Sequence, residues 1–342
     1  MDDVVSWSAD VDDVIKGDLT AAVGYVTPAG GVVVAAVAPC GIGQREAGLL
    51  GFTTSLGFGR KLRRIVRDPH VALAYHAREH GFSVSPAFVL AQGIASVDLT
   101  PSRQRLEALI PQAERHLGEI ARGQIWDRLL REYYQERLFV DIAAHRIAVW
   151  QDLDAAGPVQ VTGPAWPGFP GPQTPPGGGT GPRADVAKAA RQISRLPHRL
   201  LGYRGADGFP VIVPVAVAGH DETGLRLVAA AGLLPPGGRR AGLLAHAYRP
   251  QLVGLGSRMF TGWLAVSGDT AVYAPHTSRG FTAPPSKSLL LVANGLLAKY
   301  GMWRARRQDL AGQLAREAAA RGSEGRPRGV PLGAGRNSAA GR

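Results

Sequence analysis

A chain of 342 residues with 45% apolar side chains carries enough hydrophobic material for about two packed domains, which excludes a disordered polypeptide. One cysteine, Cys40, excludes an internal disulfide and a CxxC metal or redox motif, in keeping with a reducing compartment. The formal charge of +12 invites a nucleic-acid reading, but nine arginines follow Trp303 against Asp309, Glu317 and Glu324, so much of the excess sits at the C-terminal end and says little about a folded surface.

The acidic start, MDDVVSWSADVDDV, has neither the basic residues nor the apolar stretch of a secretory signal. Short β-branched or apolar runs bounded by turn residues then predict strands over 21–27, 31–37, 49–54, 71–76, 88–97 and 138–150. Two stretches have helical spacing instead: 60–67, with Leu62, Ile65 and Val66 opposite a basic face, and 125–134. His76 and His80 have the i, i+4 spacing of a metal pair, but they leave a strand rather than ride a helix, which argues against metal binding.

Residues 154–183 are rich in proline and glycine and read as a linker, on which Trp166 and Phe169 either dock or stay solvated. Beyond it, strands are expected over 199–203, 211–217, 225–230, 252–256 and 259–266, with a helical piece over 239–247. The segment around Tyr273–Thr277 reads as a proline-rich loop, 288–303 as a buried helix too short and too interrupted to span a membrane, and 318–342 as a disordered basic tail. The second half repeats the order of the first, anchored on Gly24-Tyr25 against Gly202-Tyr203, Arg60-Lys61 against Arg239-Arg240 and Pro69 against Pro250. The expected domains are therefore 1–153, the linker 154–183, 184–317 and the tail.

The strongest chemical signal is FTTSLGFGRK, residues 52–61: a strand ending in Thr53, Thr54 and Ser55, a glycine-containing turn, and a helix opening on Arg60 and Lys61. Helix starts present unpaired N–H groups, and hydroxyls and cations beside them suit a dianionic phosphate. The plain alternative is a solvated basic helix after a threonine-rich strand. The whole segment FTTSLGFGRKLRRIVRDPHVAL resembles the pyridoxamine 5′-phosphate oxidase-like split barrels, and the resemblance extends over about 20–150, through Gln92-Gly93 and the closing RLFVDIAAHRIAVW.

That resemblance implies a mostly β (α+β) fold of two tandem split β-barrels with short peripheral helices. It assigns the cofactor phosphate to Thr53, Thr54, Ser55, Arg60 and Lys61, and the ring more loosely to Gln92. It implies FMN, with the deazaflavin F420 or haem as alternatives, and a cytoplasmic oxidoreductase acting on a small molecule with an electron donor. A non-catalytic flavin- or haem-binding module is the rival reading, and a basic nucleic-acid binder a weaker one. Because such barrels pair around the cofactor, the two halves are expected to form an intrachain pseudo-dimer, or the chain a homodimer. The second half has Val228-Ala229-Ala230 in place of the hydroxyls, so its own phosphate site is expected to be degenerate.

Overall fold

In the computed structural model, which describes residues 4–118, 137–284, 300–301 and 303–324, every run expected before the linker is a strand. These are β1 (Ala21–Val26), β2 (Val32–Val37), β4 (Leu49–Thr54), β5 (His70–Tyr75), β6 (Phe88–Asp98) and β7 (Leu138–Trp150), with a short β3 (Gly43–Gln44) between. The helix expected over 125–134 and most of 288–303 lie outside the described residues. Among the described residues, no helix is long and apolar enough to cross a membrane.

Side chains alternate across a strand, so each central strand serves two cores. Val23 and Tyr25 of β1 enter the first barrel's interior with Phe52, Leu73, Tyr75 and Val89. Ala22 faces the other way and joins Ala72, Ala74 and Leu90 in a cluster shared with Leu201, Ile212, Leu243 and Tyr273 of the second half. The barrels thus meet through a continuous apolar seam.

The second half contributes β9 (His198–Arg204), β10 (Pro210–Pro214), β11 (Ala216–Asp221), β12 (Gly224–Val228), β13 (Gly237–Ala247), β14 (Gly256–Ser267) and β15 (Thr270–Thr282). Both sheets are antiparallel, in the orders β2-β1-β5-β6-β7-β4-β3 and β10-β9-β13-β14-β15-β12-β11. The two orders become identical when each half is numbered from its own first strand. Register agrees as well: Gly24 pairs Ala72 and Ala72 pairs Gln92, while Gly202 pairs Gly242 and Gly242 pairs Thr261. The next step in each half is a bulge, between Gln92 and Gly93 and between Thr261 and Gly262. A Cβ on Gly93 would collide with the Ala143 carbonyl oxygen, and one on Gly262 with that of Ala274, so both bulges require glycine.

Three expectations for the second half are corrected. Residues 239–247 belong to strand β13, hydrogen-bonded on both edges to β9 and β14; the segment RRAGLLAHA lacks β-branched residues and is rich in the alanine and leucine that favour helices, so its local signal points the wrong way. Residues 252–256 form no strand before Gly256, because Pro250–Leu252 is a 3-10 turn with Gln251 and Leu252 at φ 59°. Tyr273–Thr277 lies within β15, and its proline is accommodated at the bulge. The basic doublets consequently do not correspond: Arg60-Lys61 opens a helix, whereas Arg239-Arg240 lies on β13, the counterpart of β5.

The helices are peripheral: α1 (Ala9–Gly17), α2 (Gly59–Arg67), α3 (Arg103–Leu117), α4 (Val186–Ser194) and α5 (Leu310–Glu324). Ser8, Ser102 and Asp185 cap α1, α3 and α4 through side-chain acceptors. Helix α5 includes 318–324, the first residues of the expected tail, and it packs on the first barrel rather than the second. Leu310 and Leu314 join that barrel's interior, Arg67 forks onto Glu317 at 3.1 and 3.2 Å, and Arg321 Nη1 donates to the Val66 carbonyl at 2.6 Å. The linker, too, is tied down. It adds β8 (Gln160–Thr162) to β7, sets Trp166 edge-on to Trp150 at 5.6 Å, and spans the barrels through Gln173, which donates to Gly238 O from its backbone and to Gly30 O from its side chain. Phe169 stays half exposed.

Candidate anion-binding site

Strand β4 ends against the start of β7, with Thr53 opposite Phe139 and Thr54 opposite Leu138. That register places Arg137, just before β7, at the strand end, and its Nη1 donates to Thr53 Oγ1 at 2.7 Å. Thr54 is buried and its Oγ1 has no hydrogen-bond partner. Ser55 caps the 3-10 turn Leu56–Phe58, accepting from the Gly57 N–H at 3.2 Å, and α2 follows directly.

Helix α2 is amphipathic: Leu62, Ile65 and Val66 are buried, and its cations emerge on the remaining faces. Lys61 Nζ lies 5.1 Å from the centre of the Phe52 ring and 5.2 Å from that of Phe58. Its burial there pushes the ammonium pKa down to about 8, and the nearby Arg137 charge acts in the same direction. Arg60 and Arg64 are one turn apart on α2, and Arg64 hydrogen-bonds the Tyr25 side chain of β1. Burial raises the Tyr25 phenol, while the guanidinium groups of Arg64, Arg279 and Arg60 pull against it.

Among the described residues, the charges acting on Tyr25 and Lys61 are those of arginines, Arg64, Arg279 and Arg60 on the first and Arg137 on the second. Such a cluster attracts an anion. Phosphate or carboxylate oxygens suit it, since arginine offers a planar fork and lysine a point charge.

Of the residues singled out in the sequence, Thr53 and Lys61 come together with Arg137, Thr54 is buried at the end of the same strand, Ser55 is used as a turn cap, and Arg60 lies one helical turn before Arg64. Gln92 is elsewhere. It is fully buried between the barrels, its Nε2 donating to Pro210 O at 2.8 Å and its Oε1 accepting from Arg146 Nη1 at 2.7 Å. Arg146 also pairs with Asp207 at 2.7 Å, so this network ties the sheets to each other.

No family model matches this chain, and no curated protein does. Solved structures similar to it include a protein related to general stress protein 26, of the pyridoxinephosphate oxidase family, from Clostridium acetobutylicum (10% identity, 44% of this chain and 90% of that one, TM-score 0.31). An F420 reductase is similar at 14% identity over 40% of this chain and 94% of that one, with a TM-score of 0.29. A pyridoxamine 5′-phosphate oxidase-related, FMN binding protein from Nostoc punctiforme is similar at 10% identity over 58% and 87%, with a TM-score of 0.27.

Sequence reasoning missed Tyr25, Arg64, Arg137 and Arg279 as members of the cluster. Arg64 had a readable signal, the i, i+4 spacing from Arg60 on a helix. The other three reach the cluster through strand pairing and the meeting of the barrels. In the second barrel only residues 229–236 connect β12 to β13, with no helix between, and Arg239 is buried on the carbonyls of Pro170 and Pro236.

Proposed function

We propose that the chain binds FMN or the deazaflavin F420 at the cationic junction, by its phosphate, and acts as an oxidoreductase on a small molecule. The reading rests on one observation: a buried hydroxyl without a partner, Thr54 Oγ1, ends the strand that also carries Thr53, which accepts from Arg137 at 2.7 Å, and Phe52, over whose ring Lys61 Nζ stands at 5.1 Å. Unpaired buried polar groups are costly, and a ligand oxygen would relieve this one while meeting the cations of the junction. Thr54, Lys61 and Arg137 would hold the phosphate, and Arg60, Arg64 and Arg279 would meet further anionic groups along the seam. When bound, such a cofactor supplies hydride or electron transfer, and the protein's part is to anchor it, orient it and exclude water.

The shared strand order, register and bulge support a duplicated ancestry in which one chain supplies both halves of a barrel pair. With no helix after β12 and with Arg239 engaged by the linker, the second half is inferred to hold no cofactor phosphate. One cofactor per chain is expected.

Mass spectrometry of the small molecule released from untreated protein tests the reading, and reduction of a bound chromophore by a nicotinamide donor separates an enzyme from a passive binder. Release of no flavin or deazaflavin, with no uptake of either on titration, would reject it. A sharper check uses Thr54→Val. Replacing the partnerless hydroxyl by a methyl is expected to raise stability by up to about 1 kcal/mol while weakening cofactor binding several-fold or more. A merely structural threonine would show no such opposition between denaturation midpoint and affinity.

A further inference from the structure

The two barrels also meet at a pair of imidazoles. His76 directly follows β5 and His246 lies near the end of β13, and the register that matches Ala72 with Gly242 matches these two histidines with each other. Their Nε2 atoms are 2.6 Å apart, and both rings are buried.

The protonation state of this pair follows from its neighbours. His76 Nδ1 lies 3.0 Å from the Ala74 carbonyl oxygen, which can only accept, so Nδ1 carries the proton and Nε2 offers a lone pair. His246 must then donate from Nε2, which leaves its Nδ1 bare, and that atom is buried without a partner. The contact therefore exists with both rings neutral. A proton on His76 Nε2 would set two N–H groups against each other at 2.6 Å; a proton on His246 Nδ1 would bury a charge whose new N–H has no acceptor.

No neighbouring group compensates such a charge. His198 of β9 is the cross-strand partner of His246, with ring centroids 5.1 Å apart and 5.8 Å from His76, and it adds a third titratable ring. Glu79 is engaged with His198 Nε2 at 3.2 Å and its side chain is 56% exposed. Asp18 is engaged with Arg78 at 2.5 Å, and the Arg78 charge opposes protonation of His76. Arg199 opposes protonation of His198, Tyr248 stacks on both second-barrel rings, and His80 lies edge-on to Tyr248. Among the described residues there is no group of three or more side chains that could hold a metal ion.

We propose that His76 and His246 form an acid-sensitive clasp between the barrels, closed while both rings are neutral and opened when either is protonated. Burial holds all three histidines below their ordinary value, His76 at about 3. Because the folded-state value is depressed, the closed form is fully favoured above the unfolded value of about 6.5 and loses ground as pH falls below it. At pH 5 each ring that is neutral when closed and free to titrate when open shifts the balance about thirtyfold toward opening. The clasp does not depend on the cofactor proposed above.

Hydrogen exchange of the full chain at pH 7.5 and 5.0, corrected for the intrinsic rate, tests it. Segments 70–80 and 240–250 are expected to exchange at least thirtyfold faster at the lower pH, with a smaller change in β6. The double substitution His76→Leu with His246→Leu should remove most of the difference, leaving only the share due to His198. In His246→Gln the amide can still donate to His76 Nε2 but one titrating ring is gone, so the response should fall markedly without vanishing. Unchanged exchange in the wild type, or a wild-type response in either variant, overturns the clasp; if the double variant does not fold, His246→Gln alone decides.

Discussion

Gly242→Val is expected to destabilise the chain by about 3 kcal/mol, seen as a lower urea midpoint with an unchanged slope. A Cβ at this position on β13 would run into the Val32 carbonyl oxygen and stand 3.2 Å from both the Val32 carbonyl carbon and Val33 Cα. These are backbone atoms of β2, so no rotamer change relieves the overlap and the barrels must move apart. Separation would also open the apolar seam formed by Val32, Val34, Leu201 and Leu243. The register-matched position in the first barrel is Ala72, which already carries a Cβ and is fully buried. Only one member of that matched pair must therefore be glycine. Gly168→Ala is the control, since a Cβ there meets nothing within 4 Å, and it should leave the midpoint unchanged. Equal midpoints for Gly242→Val and the control would show that the seam does not hold the halves together.

Strands bounded by turn residues were legible because apolar or β-branched runs and turn signals coincide, as in 21–27 and 49–54. The duplicated order was legible too, but the doublet chosen to align it was not a structural match. Arg239 resembles Arg60 only in side chain; its backbone is a strand, and its guanidinium is held by the carbonyls of Pro170 in the linker and Pro236 in the loop before β13. The better anchors carry no charge: Gly24 with Gly202, and Gly93 with Gly262, where the backbone itself demands the residue. Strand β13 escaped because its sequence, GGRRAGLLAHA, holds no β-branched residue and is rich in alanine and leucine, which favour helices. The return of α5 to the first barrel escaped because Leu310 and Leu314 look like any helix stripe, and nothing local says which core they enter. Gln92 carries the same lesson. Its polarity suggested a ligand contact, yet Pro210 and Arg146, distant in sequence, use every hydrogen bond it makes in the structure.

Lys61→Met is expected to weaken FMN binding by about 10- to 100-fold, the range set by losing one charge-assisted hydrogen bond of about 1.5–3 kcal/mol. The pH dependence should be more telling than the loss itself. Burial against Phe52 and Phe58, with Arg137 nearby, brings the Lys61 ammonium down to about 8 in the free protein. An anion binds the protonated form, so wild-type affinity should hold below about pH 8 and fall above it, by up to about tenfold per unit. Tyr25 does not mimic this fall, because burial raises its phenol. In Lys61→Met the slope should vanish. In Arg137→Gln affinity should also drop, but the fall with pH should move upward, because the charge that depresses Lys61 has been removed. Fluorescence titration of FMN between pH 7 and 10 reads all three. A wild-type affinity that is flat across that range and indistinguishable from Lys61→Met would mean that Lys61 is not a phosphate ligand. The cationic junction would then be a solvated basic helix, the plain alternative that residue types alone left open.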